Sequence, residues 1–167
     1  MPTLDATVGG ASANSYATVA EADSYFDERL NSSDWDNASA DNKKRALIMA
    51  TRRLDQEPFE GVKTDLDPED QALEWPRSGA SGPNGHVFDN DELPTRLKHA
   101  TFELGLVILG GDFLADSGLE GFEKVEVGPL SVTPRHQQRA AELPETVKRL
   151  LKPFVLGGEN QVRVFRG

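Results

Sequence analysis

The sequence predicts a mainly α-helical protein: a small helical bundle with a short β-hairpin or extended arm and an extended C-terminal tail. Three observations carry this expectation. Apolar residues recur at helical spacing behind N-terminal capping signals along most of the chain. Period-two alternation is found at Lys124–Thr133 and again at Gln161–Arg166, both short. The 167 residues suit one structural domain.

The elements follow in order. Residues 1–15 are small and polar with Gly9 and Gly10 adjacent, which reads as a flexible lead-in. Thr18 and Glu21 form a capping box, and Val19, Ala22, Phe26 and Leu30 recur behind it, predicting a helix over 19–30. Trp35 sits in the connection that follows. Ser39 caps a second helix running to about Gln56, with Leu47, Ala50 and Leu54 as its buried stripe. Lys43, Lys44, Arg52 and Arg53 should mostly face solvent or acidic partners. Glu57–Gly61 breaks that helix. Asp67–Pro68 predicts a short third helix through Glu74, ended by Trp75–Pro76. Residues 77–90 are rich in Gly, Ser, Pro and Asn and read as a loop. Pro94 opens the next helix, which has two apolar stripes. One is Leu97, Ala100, Leu104 and Val107 or Ile108; the other is Phe102, Leu106 and Leu109. A helix apolar on two sides belongs at the centre of a bundle. Pro144 opens a last short helix with Val147, Leu150 and Leu151 on one side.

Charge divides the chain into an acidic helical body (1–123), a hairpin or arm (124–140) and a short helix with a basic tail (141–167). The whole carries a net charge of -10. Residues 1–123 hold 24 acidic and 10 basic side chains, whereas residues 124–167 hold 4 acidic and 8 basic. An acidic body repels phosphates and makes general nucleic-acid binding a poor expectation. The basic quarter suits docking on an acidic neighbour, including another copy of the chain. No apolar run approaches the length of a membrane span, and the N-terminus lacks the basic and apolar regions of a signal peptide. A soluble, intracellular protein is therefore expected.

Candidate chemistry is sparse. With no cysteine there is no disulfide, thiolate zinc site or Cys nucleophile. His86, His99 and His136 have no second ligand at metal spacing, and His99 reads as a packed or rim residue. The acidic run from Asp65 has Asp70 where a calcium loop needs Gly and Pro76 where it needs a bidentate Glu. No nucleophile elbow or phosphate-binding loop occurs. No enzyme activity, cofactor or metal is expected. Trp75–Pro76–Arg77 and Phe165–Arg166 are the places that could stack on single-stranded bases. Trp75 reads better as a core anchor closing a helix end, and Phe165 as an anchor in a partner's pocket.

Several blocks carry a family resemblance. They are Ala13–Asn14–Ser15–Tyr16–Ala17, Ala20–Phe26, Ala46–Asp55, Phe59–Glu60–Gly61 and, most specifically, Gln71–Ala72–Leu73–Glu74–Trp75–Pro76–Arg77. Their succession over residues 13–110 resembles head–tail connector (adaptor) proteins of tailed phages. Some proteins of this kind are labelled as similar to the DnaT single-stranded-DNA-binding protein. The resemblance implies a structural protein of the virion neck, assembled in the host cytoplasm. It implies a ring of copies, usually twelve, beneath the portal protein, with genomic DNA passing through unbound and a tail-completion protein docking below. On that footing Val162, Arg163, Val164, Phe165 and Arg166 are the expected portal contacts. Trp75, Pro76 and Arg77 are expected as a core anchor or subunit-packing block. The rival expectation is a DnaT-like single-stranded-DNA-binding replication module, whose foothold is the basic C-terminal quarter.

Overall fold

A computed structural model describes residues 1–67, 69–111 and 142–156. The described residues are mainly helical. The helices are α1 (Val19–Asp27), α2 (Ser33–Asp36), α3 (Ala40–Leu54), α4 (Thr95–Gly110) and α5 (Glu145–Leu151). A two-stranded antiparallel sheet joins β1 (Val62–Lys63) to β2 (Arg77–Ser78), with Val62 opposite Ser78. The expected hairpin or arm at 124–140 and the strand-like tail at 161–166 lie outside the described residues.

Helix α4 is the centre. Its Leu97, Ala100 and Leu104 enter one core with Tyr16, Leu54, Trp75, Val147 and Phe154. Its Phe102 and Leu106 enter a second core with Ala22, Phe26, Trp35 and Leu47. The two stripes read from the sequence therefore each own a core. Of the alternatives at the end of the first stripe, Ile108 packs inward and Val107 is exposed.

Local signals set the helix starts. Thr18 Oγ1 accepts from Glu21 N while the Glu21 carboxylate accepts from Thr18 N, completing the capping box. Ser39 Oγ accepts from Asn42 N at the start of α3. Helix α1 stops three residues before the expected end, which leaves Leu30 86% exposed rather than in the stripe. The cause is a turn: Asn31 takes φ +61, and Arg29 Nη1 donates to the carbonyls of Leu30 and Asn31. Trp35 lies within a single helical turn, α2, and is 1% exposed.

The short helix expected from Asp67–Pro68 through Glu74 does not form among the described residues. Asp67 starts a turn, its carbonyl accepting from Asp70 N and Gln71 N. The chain then runs through bends, and the buried Gln71 side chain takes the place of helical pairing. Its Oε1 accepts from Asp65 N, and its amide donates to the carbonyls of Leu73 and Pro76. This course delivers Trp75 into the core through a cis Trp75–Pro76 bond. The 77–90 loop contributes β2 and a 3-10 turn at Pro83–Gly85. Gly61 is required where it stands. Its φ is +72, and a Cβ there would lie 2.4 Å from the Ser78 carbonyl oxygen.

Residues 1–15, a lead-in by composition, are tied into loops. Asp5 N donates to Asn14 Oδ1, the Asp5 carbonyl accepts from Asn14 N and Ser15 N, and the Gly10 carbonyl accepts from Ala72 N.

Candidate functional site

Two helix faces with the same spacing form a groove of about 700 Å³. Helix α1 supplies Glu21, Ser24 and Tyr25, with Glu28 just past its end, and α4 supplies Thr95, Lys98, His99 and Phe102. Both sets follow i, i+3, i+4, i+7, so each is one face of its helix. The floor is aromatic. The Tyr25 ring centroid lies 4.8 Å from that of His99 and 5.2 Å from that of Phe102.

Beneath the floor Glu103, only 7% exposed, gathers three donors. Tyr25 Oη donates at 2.7 Å, Arg29 Nε at 2.7 Å and Arg29 Nη2 at 2.9 Å. Burial, and then the Glu103 carboxylate, push the Tyr25 phenol up to about 12, so it remains a donor at neutral pH. Burial lowers His99, which favours the neutral imidazole. Lys98 Nζ sits 2.7 Å from Glu21 Oε1 at the rim. Both groove cations are thus committed to carboxylates, while Glu28 has no charged partner among the described residues. Ser24 Oγ is spent on the Ala20 carbonyl. A neutral aromatic floor with an uncompensated carboxylate suits a cationic or apolar side chain better than a phosphate.

The outward face of α3 has the opposite character. Lys43 pairs with Asp23 and Arg53 with Glu57. Lys44 and Arg52 make no ion pair among the described residues, and Arg45 donates to Asn42 Oδ1. With Met49 between Arg45 and Arg52, these three form a basic row on the solvent side.

The block Trp75–Pro76–Arg77 lies elsewhere and is structural. Trp75, 1% exposed, meets Phe59, Phe88 and Phe154 edge-on at 5.8–5.9 Å. Arg77, 7% exposed, donates Nε to the Glu60 carbonyl, Nη1 to the Glu74 carboxylate and Nη2 to the Gly61 carbonyl. That fork closes the turn between Phe59 and β1 and leaves no free donor for a partner. Val162, Arg163, Val164, Phe165 and Arg166 lie outside the described residues. The groove went unread in the sequence because Tyr25 sits beside the buried stripe of α1. Its spacing from Glu21 and Glu28, matched on α4, was the available signal.

The geometry defines a helical body with an aromatic-floored groove between α1 and α4 and a separate basic helix face. Among the described residues no group of three metal-ligating side chains converges, and no helix is long and apolar enough to cross a membrane. A family model described as "Putative DnaT-like ssDNA binding protein" matches residues 3–167, and the chain belongs to that family. No curated protein and no solved structure matches it.

Proposed function

We propose that the protein is a non-enzymatic head–tail connector of a tailed phage or prophage. Copies form a ring on the portal, continue the DNA channel and offer a platform to the next tail protein. The sequence resemblance supports this reading, and one structural observation carries it. Among the described residues the acidic body buries both tryptophans and commits the cations of its aromatic groove to carboxylates, so the groove offers a phosphate no uncommitted cation. Such a surface lets DNA pass without sticking. Val162–Arg166 serve as the portal contact in this reading.

The family description favours a second reading, single-stranded-DNA binding. The basic row on α3 and the eight basic residues of 124–167 would carry it. Two experiments separate the readings. Electron microscopy of the protein mixed with the portal of the same phage should show a coaxial ring; two unassociated species beside an intact portal would reject the connector. Fluorescence anisotropy with a single-stranded oligonucleotide at two salt concentrations tests the other. Micromolar binding at physiological salt that falls steeply as salt rises would establish it. Deleting residues 159–167 should abolish portal binding while helical circular dichroism stays near wild type.

A further inference from the structure

We propose that the basic row on α3 of one copy seats in the α1–α4 groove of the next, as a head-to-tail contact. The proposal deepens the connector reading and rests on it for closure into a ring.

The two surfaces match in pitch. Glu21 and Glu28 are seven residues apart along α1 and its C-terminal cap, and Arg45 and Arg52 are seven apart on α3. Each interval is two helical turns, about 10.5 Å along the axis. Laid side by side, the two arginines therefore meet the two carboxylates together, in either helix direction. Met49 lies between the arginines and comes over Tyr25 and His99, where a thioether packs well on ring edges.

The charges match as well. Helix α3 pairs Lys43 and Arg53 within its own chain, yet among the described residues Lys44 and Arg52 stand without an ion pair on a strongly acidic body. Among the described residues Glu28 has no ion-pair partner, and the half-exposed Glu21 can share its charge between Lys98 and a second cation. A copy cannot satisfy itself, because α3 is already packed against α4 through Ala46, Leu47 and Ala50. Two different patches in contact make a heterologous interface, which continues from copy to copy until it closes.

The absence of cysteine gives a direct test. The full-length double variant Ser24→Cys with Met49→Cys is oxidised in the presence of portal. It should give a disulfide ladder extending beyond dimers, whereas each single variant stops at dimers or monomers. Arg45→Glu with Arg52→Glu should weaken self-association at least tenfold by sedimentation, as should Glu28→Arg, with circular dichroism unchanged. Combining the two should restore part of the loss. Rings on the portal with no ladder, and with no effect of the charge reversals, would overturn this interface and leave the connector standing. A ladder without portal binding would keep the interface and remove the connector.

Discussion

The two tryptophans occupy opposite sides of α4, and their surroundings differ in kind. Trp35 is held by side chains that reach the surface. Its Nε1 donates to Asp23 at 2.8 Å, and Lys43, itself paired with Asp23, lies 5.1 Å from the ring centroid. Trp75 is enclosed by three phenylalanine rings, and its Nε1 has no acceptor among the described residues. Its neighbourhood is fastened by backbone carbonyls that Arg77 and Gln71 satisfy from within. The Trp75 side is therefore a sealed knot. The Trp35 side is tied through surface charges and borders the groove through Tyr25 and Phe102.

The largest effect should come from the knot. Trp75→Ala should cost about 3–5 kcal/mol in a denaturant titration, enough to unfold a marginal domain. Arg77→Ala strips donors from buried carbonyls and should cost about 2–3 kcal/mol by the same measurement. A smaller loss would mean that water replaces the fork and that the region is less sealed than its packing implies.

On the Trp35 side Glu103→Gln should cost only about 1–2 kcal/mol, because Arg29 remains partly solvated. The Tyr25 phenol should then titrate closer to its ordinary range in an absorbance titration. A cost as large as that of Arg77→Ala would erase the contrast between the two sides.

The smallest effect is a pH dependence at the knot. Burial, opposed by hydrogen bonds from Tyr16 and the Glu74 backbone, pushes the Asp55 carboxyl up to about 6. The folded state then binds this proton more tightly than the unfolded chain, so the contribution of Asp55 to stability grows as pH falls from about 6 towards 4. Relative to Asp55→Asn, the wild type should gain about 1 kcal/mol between pH 7 and pH 5 in thermal melts. A constant difference between the two proteins would place Asp55 in solvent.

Local signals made part of this fold legible. The capping box of α1, the Ser39 cap, the two stripes of α4 and the Pro144 start are written within one or two helical turns of sequence. In place of the expected third helix, Gln71 reaches the carbonyls of Leu73 and Pro76 in the bent backbone that buries Trp75, and propensity cannot register that. The sheet pairs residues on either side of that excursion, two per strand, too short for alternation to show. The motif most useful for recognising the family, Gln71–Arg77, is a packing device. The groove, by contrast, consists of ordinary helix-face residues whose meaning depends on which helices become neighbours.

Chain order gives the two cores different birthdays. The Trp35 core draws its members from Ala17 to Leu106, while the Trp75 core also needs Val147, Leu151 and Phe154. During synthesis the first set is complete about fifty residues before the second, a lag of about 2–10 s at ribosomal speed. Through that interval the Trp35 side can close around one stripe of α4 while the other stripe, met by Tyr16, Leu54 and Trp75, still lacks its cover from α5. A nascent chain held at that stage offers Leu97, Ala100 and Leu104 to any chaperone within reach. Codon choice between α4 and α5 thus sets how long that exposure lasts.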